Sequence, residues 1–367
     1  MKSTFILLIT ILLFCRSVDA QERVIDATDR SPISTASILD VAGNMVGFTY
    51  NDGVFSEIPV SAYPVTLRCI GYEQLVIERP GNKTWEMTPI AYELEEVVIT
   101  PVKRNVLRQT FYVREYLSMN NDSGTLTYFI EHMAERFLPT SKDAKFGGKS
   151  SLRILCSRNY SGYQLYDRDS IIASPEMPFP SMLTIFELRD EAITAPDSFK
   201  EPGNVLKLYE EAGESGMLRV QKQNDRAFIM IEDVLAGTKE HKISPWPLKL
   251  LGFTMEFNQL YITSAYRVND EGVYHPKDLM EASFVMQADG RGKYLRKVMK
   301  SDKPIVIRYL IELYIVDRDY LSCEEAKKEY KNKPTNVKFV IPSTVPPLSD
   351  ATLRLVERAN TEAGNKE

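Results

Sequence analysis

The sequence predicts a mainly β / α+β fold. An N-terminal seven-stranded β-sandwich is expected first, followed by a β-rich domain built on an antiparallel sheet with a few helices. Before residue 88, short runs of β-branched and aromatic residues recur about every eight to twelve residues, with turn residues between them. Longer strand-like runs dominate the rest of the chain, where Glu324–Lys333 and Ser349–Asn360 have the charged, periodic character of surface helices.

The first domain is predicted from seven short runs. Asp52-Gly53 is the clearest turn between them, because glycine takes the positive φ that a tight hairpin needs. Seven strands in about 70 residues fit a small antiparallel sandwich of two sheets. The seven runs are Arg23–Asp26, Ala36–Leu39, Met45–Tyr50, Val54–Ile58, Val65–Ile70, Gln74–Glu78 and Thr84–Met87.

The remaining chain is divided by composition. The predicted parts are a signal peptide at residues 1–20, the sandwich at 21–100, a polar linker at 101–110, a β-rich α+β domain of unknown function at 111–335, and a C-terminal helix and tail at 336–367. The strand-like runs of the second domain are Phe111–Met119, Leu152–Ser157, Val205–Glu210, Met217–Gln223, Ala227–Glu232, Phe253–Val268, Ala282–Ala288 and Ile305–Val316.

Residues 123–138 admit two interpretations. Leu126, Phe129 and Met133 fall on one face of a helix, together with other apolar residues at helical spacing. Leu126, Tyr128 and Ile130 also alternate, as they would on a strand. Both alternatives stay open at the level of the sequence.

The first twenty residues have the features of a secretion signal. Phe5–Phe14 is apolar and uncharged but shorter than the roughly 20 residues that span a bilayer as a helix. Small residues at positions 18 and 20 predict cleavage after Ala20. Lipid attachment at Cys15 is the alternative, and the bulky Phe14 before it disfavours that interpretation.

The charge of the chain argues against a nucleic-acid partner. Removal of residues 1–20 lowers the number of Lys and Arg residues from 45 to 43 and of Asp and Glu residues from 50 to 49. The net charge therefore changes from −5 to −6, whereas a nucleic-acid-binding protein shows a basic stripe. No later segment is an apolar run long enough to cross a membrane as a helix.

Several segments of the first domain carry a family resemblance. They are Pro32-Ile33, Ala36-Ser37-Ile38, Asn51-Asp52-Gly53, Leu67 with Cys69-Ile70-Gly71-Tyr72-Glu73, and the ending Leu94-Glu95-Glu96-Val97-Val98-Ile99-Thr100. Residues 21–100 resemble the carboxypeptidase regulatory-like domain, a transthyretin-like sandwich common at the start of exported Bacteroidota proteins. The sequence departs from the family at Glu22-Arg23 and Thr28-Asp29, where a glycine and a Thr-Gly pair are usual, so we expect a short first strand.

The resemblance implies a cellular location and an accessory role for the first domain. In this family the sandwich carries no catalytic residues and serves docking or stabilisation. The ending at Thr100 is similar to the segment that precedes TonB-dependent receptor barrels, yet the 267 residues after it are too few for such a barrel. We expect an exported protein of the periplasm or of the periplasmic face of the outer membrane.

The cysteines after the leader form no disulfide framework. Cys69, Cys156 and Cys323 are an odd and sparse set. Alternation along predicted strands places Cys69 and Cys156 on apolar faces, which indicates small core residues. A bridge between Cys156 and either of the other two stays possible in an oxidising compartment.

One set of residues has the spacing of a zinc peptidase site. His132 and Glu135 form a His-x-x-Glu pair, and His241 follows at a distance plausible for a third ligand. The glycine that precedes the first ligand in zinc carboxypeptidases is missing. On a helix both residues lie off the apolar face, and on a strand they lie on opposite faces. We therefore predict no metal or cofactor site.

Other catalytic patterns are absent or incomplete. The chain lacks the metallopeptidase, serine-hydrolase and phosphate-loop motifs. His275 is interpreted as a loop residue, and the sequence after Asp317 lacks the later ligands of a calcium loop. Aromatic residues that could line a groove are better explained by packing of the sheet. They are Tyr160, Tyr163, Tyr166 and Trp246.

These observations predict a non-enzymatic exported protein. Its β-rich domain is expected to bind another envelope component, whether protein, glycan or lipid. The alternatives are a diverged zinc carboxypeptidase-like or glycan-processing enzyme, and a half-barrel carrier similar to periplasmic lipoprotein carriers. An apolar concavity on the second sheet is the feature that favours a carrier.

Overall fold

The computed structural model describes most of the first domain, the long strands of the second and the C-terminal segment. The described residues are 22–50, 52–81, 84–90, 104–141, 144, 146, 152–165, 171–173, 181, 183, 188, 192–194, 205–207, 215–223, 226–234, 252–267, 273–299 and 302–364. The leader, the segment 91–100, Tyr166, His241 and Trp246 lie outside them.

The described chain is mainly strand. Its strands are β1 Arg23–Asp26, β2 Ser37–Leu39, β3 Met45–Phe48, β4 Val65–Arg68, β5 Leu75–Ile77, β6 Thr84–Met87, β7 Val106–Asn121, β8 Gly124–Pro139, β9 Arg153–Leu165, β10 Ile171–Ala173, β11 Ile193–Thr194, β12 Val205–Lys207, β13 Ser215–Gln223, β14 Arg226–Val234, β15 Phe253–Arg267, β16 Val273–Tyr274, β17 Leu279–Gly292 and β18 Ile305–Leu321. Its α-helices are α1 Lys293–Met299, α2 Cys323–Lys331 and α3 Asp350–Gly364. The predicted mainly β / α+β fold with antiparallel sheets is confirmed.

The first domain contains two small sheets around a shared core. One is antiparallel with strand order β3-β2-β4-β5, and the other pairs β1 with β6. The β1–β6 pair is parallel, which corrects the expectation of an all-antiparallel sandwich. Val24, Ile38 and Leu67 are fully buried between the sheets, so each contributes about 1.5–3 kcal/mol of apolar burial.

The predicted strand Val54–Ile58 is wrong. Residues 54–58 form no strand, and Val54 makes only an isolated bridge to Arg23. Gly53 causes this, because it takes a φ of +76° and its carbonyl accepts from the N–H of Val24. The chain crosses β1 at this turn and then leaves it, while Phe55 and Ile58 anchor the loop in the core.

The second domain is built on one ten-stranded antiparallel sheet. The strand order is β10-β9-β8-β7-β18-β17-β15-β14-β13-β12. β7 begins at Val106, inside the predicted 101–110 linker. β7 and β8 form a hairpin in which Asn121 pairs with Gly124.

Residues 124–139 form strand β8, which settles the choice between helix and strand for residues 123–138. β8 pairs along its length with β7 on one side and with β9 on the other. Its side chains are buried on both faces, so apolar residues need not alternate. Because apolar residues occupy both faces of β8, some of them also match the spacing of a helix.

The central sheet has two different faces. Phe111, Val113 and Leu117 of β7 lie on the side that we call the apolar face, with Ile311 of β18 and Leu295 of α1 packed among them. The even-numbered residues of β7 lie on the opposite side, which we call the sandwich face because the first domain packs there.

The first domain is fixed to the sandwich face by apolar and polar contacts. The backbone N–H of Met45 donates to Ser118 Oγ at 2.9 Å, and the hydroxyls of Thr35 and Thr263 lie 3.1 Å apart. A shared apolar cluster lies between the two domains. Its buried members are Leu39, Met45, Phe48, Tyr116, Phe129, Tyr261, Val285 and Leu310.

The C-terminal segment is more than the predicted helix and tail. Residues 337–347, which we call the strap, cross the sandwich face of the sheet. Helix α3 follows, and Ser349 Oγ accepts from the N–H of Thr352 at its start. Among the described residues, no helix is both long and apolar enough to cross a membrane.

Candidate functional site

The two described residues with the spacing of a zinc peptidase site do not converge. His132 and Glu135 both lie on β8, and their odd spacing places them on opposite faces of the sheet. His132 lies on the apolar face, whereas Glu135 accepts from Arg153 and lies beside α2. His241 is outside the described residues. Within the described part of the chain, no three His, Cys, Asp or Glu residues are grouped as metal ligands.

His132 instead belongs to a polar cluster on the apolar face. We call Glu115, His132, Ser157, Ser181 and Tyr309 the buried carboxylate cluster. Glu115 is fully buried, and its carboxylate accepts hydrogen bonds from the hydroxyls of Tyr309 and Ser181. His132 Nε2 lies 2.7 Å from Glu115 Oε1, although the N–H is not directed at that oxygen as in a regular hydrogen bond.

The second ring nitrogen of His132, Nδ1, contacts Ser157, the exposed member of the cluster. Ser157 is directly opposite His132 in the β8–β9 pairing, and its Oγ lies 2.6 Å from Nδ1. Ser157 is exposed, whereas His132 is only 2% exposed. The cluster therefore runs from a buried carboxylate through an imidazole to the hydroxyl of an exposed serine.

The sequence contained a signal for part of this cluster. The run Phe111–Met119 is predicted as a strand, and alternation places Glu115 on the same face as Val113 and Leu117. A charged residue in an apolar row is a sign of a specific role or partner. Ser157 had no such signal, because its proximity to His132 depends on the register between β8 and β9.

A buried ion pair dominates the sandwich face. Arg68 of β4 donates to both carboxylate oxygens of Glu312 of β18, from Nε at 3.1 Å and from Nη2 at 2.7 Å. The side chains are 1% and 3% exposed. Burial by itself would lower the pKa of Arg68, but Glu312, aided by Tyr116, raises it above the usual value.

The same network holds the strap. Arg114 donates to the carbonyl of Pro346 at 2.5 Å, and Gln74 Nε2 donates to that of Pro347 at 2.8 Å. The Tyr112 hydroxyl belongs to this network, because it donates to Glu131 and accepts from Arg114 Nε at 3.0 Å. Burial raises the pKa of Tyr112. Backbone carbonyls of the strap therefore satisfy arginine N–H groups that the sheet buries.

A cleft of about 860 Å³ lies where the first domain, the sheet and the strap meet. We call it the strap cleft. Its volume is within the range of small-molecule and cofactor sites. Its walls combine apolar, hydroxyl and charged side chains. The lining residues are Glu73, Gln74, Ile90, Arg267, Met280, Glu281, Tyr314, Ile315, Val316, Arg318, Val340 and residues 342–347.

The cysteines and the described tyrosines named in the sequence analysis contribute to packing. Cys69, Cys156 and Cys323 form no disulfide bond within the described residues. Cys69 is buried in the core of the first domain as predicted, whereas Cys156 is only partly buried, which corrects its prediction as a core residue. Tyr160 stacks on Phe129 on the sandwich face, whereas the Tyr163 ring packs on the apolar face. These two rings therefore do not line a common groove.

His275 and Asp317 also have ordinary structural roles. The backbone N–H of His275 donates to Asp278 at 3.1 Å and begins the short 3₁₀ turn Pro276–Asp278. Asp317 lies in strand β18, and its carboxylate is 3.8 Å from Arg108. A strand at this position cannot form the loop of a calcium site.

Comparison with known proteins identifies no family. No protein-family model and no curated protein matches the chain. Among solved structures, the chain is similar to one that describes lipid–protein interactions in lipovitellin, with 10% identity and a TM-score of 0.31 over 59% of this chain. The match spans 26% of the lipovitellin chain. A likeness at this level carries no argument about ligand or activity.

Proposed function

We propose that the protein is a binding protein of the bacterial cell envelope and that its ligand occupies the strap cleft. The observation that carries the proposal is the cleft itself, which has walls from the first domain, the central sheet and the strap. The envelope location is supported by the leader-like residues 1–20 and by the resemblance of residues 21–100 to an accessory domain of exported proteins.

The walls of the cleft favour a segment of a partner protein as the ligand. Ile90, Met280 and Val316 offer apolar contacts, while Arg267 and Arg318 offer positive charge. Mixed lining of this kind fits a peptide, whose side chains and backbone alternate between apolar and polar groups. A lipid tail fits it poorly, because hydrocarbon gains nothing from charged walls.

The strap supplies a further reason to expect a protein partner. Val340 and Ile341 are 51% and 52% exposed at the cleft and beside it. Apolar side chains at the edge of a concave site are typical of surfaces that a partner covers. In the described part of the chain, the apolar face of the sheet is by contrast covered by side chains from outside the sheet, including Leu183 and Leu188 and Leu295 of α1.

Site-specific photo-cross-linking tests the proposal. We expect a photo-reactive phenylalanine analogue at Val340 to form a covalent adduct with one envelope protein in intact cells. The matched control carries the analogue at Val60, which is 74% exposed and belongs to the first domain outside the cleft. Arg267→Glu, combined with the analogue at Val340, should reduce the adduct by at least tenfold because it reverses a charge in the cleft wall.

Two results would contradict the binding function. One is an adduct of equal yield at Val60 and Val340, which would indicate non-specific contact. The other is an adduct at Val340 that Arg267→Glu leaves unchanged. Cross-linking to glycan or lipid rather than to protein would reject the ligand class while keeping the cleft as the site.

A further inference from the structure

The buried carboxylate cluster lies on the opposite side of the sheet from the strap cleft, so it needs its own explanation. The imidazole of His132 lies between the carboxylate of Glu115 on one side and the hydroxyl of Ser157 on the other. The two links are 2.7 Å from Oε1 of Glu115 to Nε2 and 2.6 Å from Nδ1 to Oγ of Ser157. A nucleophile, a base and an orienting acid have this relation in acyl-transfer enzymes.

The surroundings of Glu115 select one tautomer of His132. The hydroxyls of Tyr309 and Ser181 donate to the carboxylate, which keeps it an acceptor. An acceptor oxygen 2.7 Å from Nε2 favours the proton on that nitrogen, although the N–H is not directed along the contact. Nδ1 is left as an acceptor, and the hydroxyl of Ser157 donates to it.

The burial gradient also suits a nucleophile. Glu115 is 0% exposed and His132 is 2% exposed, so water competes little for their contact. Ser157 is exposed on β9 and is open to a substrate. A cluster that served the core alone would have no need to end on an exposed serine.

We propose that Ser157 is a nucleophile, with His132 as its general base and Glu115 as the positioning residue, and that the substrate is a carboxylic ester. This activity goes beyond the proposed binding function and uses the other face of the sheet. Asn159 is exposed and lies two residues along β9, on the side of Ser157. The two residues are separated by roughly 6.6–6.8 Å along the strand, which makes the Asn159 amide the candidate donor to a developing oxyanion.

The reaction follows from these positions. Ser157 Oγ bonds to the carbonyl carbon of the ester while its proton passes to His132 Nδ1. The C–O bond to the alcohol then breaks, and His132 returns the proton to the departing alkoxide oxygen. His132 then takes a proton from water, whose oxygen bonds to the acyl carbon. The bond from that carbon to Ser157 Oγ breaks as His132 returns the proton to Oγ, which releases a carboxylic acid. No redox partner or further reactant is required.

Covalent labelling tests the nucleophile directly. The purified protein is incubated with a fluorophosphonate probe, in which a serine oxygen displaces fluoride from phosphorus, and the modified peptide is identified by mass spectrometry. We expect labelling at Ser157, its loss in Ser157→Ala, and a rate at least 100-fold lower in His132→Gln. Ser56→Ala is the matched control, because Ser56 is exposed and its hydroxyl lies 2.8 Å from that of Tyr50 rather than from a base.

Hydrolysis of 4-nitrophenyl acetate separates positioning from folding. In protein that retains its circular dichroism spectrum, Glu115→Gln should lower kcat by at least tenfold while KM changes little, since the residue does not touch the substrate. Asn159→Ala should lower kcat by about 10²–10³-fold if its amide stabilises the oxyanion.

The outcome that overturns the proposal is specific. If the probe labels Ser157 no faster than Ser56, or if His132→Gln leaves the labelling rate unchanged, the cluster is a structural polar network. If Ser157 is labelled but no ester is hydrolysed at a rate above that of Ser157→Ala, the proposed ester activity is rejected.

Discussion

Replacing Glu312 by alanine is expected to lower the free energy of unfolding by about 3–5 kcal/mol, because it leaves a guanidinium buried without its anion. Arg68 and Glu312 form a bidentate pair with side chains 1% and 3% exposed. The pair joins β4 of the first domain to β18 of the central sheet, so its loss weakens the contact between domains. Urea denaturation followed by circular dichroism measures the effect.

An exposed ion pair provides the control for this prediction. Arg30 and Glu86 are in contact, but their side chains are 61% and 49% exposed. Glu86→Ala should therefore cost less than about 1 kcal/mol. Equal costs for Glu312→Ala and Glu86→Ala would show that the buried pair does not fix the first domain to the sheet.

Replacing Glu115 by alanine is expected to lower the free energy of unfolding by about 3–5 kcal/mol. The change removes the acceptor of the Tyr309 and Ser181 hydroxyls and the carboxylate beside His132. Each buried polar group left without a partner costs about 1–3 kcal/mol. Thermal and urea unfolding of the variant check the prediction.

Glu115→Gln is the matched variant for that measurement. Glutamine keeps one acceptor oxygen in the same place, so the cost should be clearly smaller than that of alanine. If Glu115→Ala lowers the free energy of unfolding no more than Glu115→Gln does, the contacts of the Tyr309 and Ser181 hydroxyls with Glu115 contribute little to stability.

Local sequence patterns predicted many of the strands in the described residues, but not the partners of those strands. Runs between turn residues predicted β1 and β6 to the residue, because propensity and turn chemistry act over a few positions. The parallel pairing of β1 with β6 joins residues about 60 positions apart, and no local pattern specifies it. The 124–139 strand was undecided for a related reason, since burial on both faces removes the alternation that marks a strand.

Local sequence patterns predicted even less of the candidate sites, because these sites depend on which distant residues meet. His132 was singled out for its spacing to Glu135, yet its partners in the structure are Glu115 and Ser157, which reach it through the registers of β7–β8 and β8–β9. The strap cleft combines three distant parts of the chain. Sites of this kind depend on tertiary contacts, and a single sequence carries no direct record of them.

The strap cleft exists only if the first domain, the sheet and the strap fold together as one body, and they should therefore unfold in one transition. Differential scanning calorimetry measures this property without knowledge of the ligand. We predict one cooperative transition for these three parts, which Glu312→Ala shifts as a whole to lower temperature. Two separate transitions, with that of the sheet unmoved by Glu312→Ala, would contradict the shared body and with it the cleft as a preformed binding site.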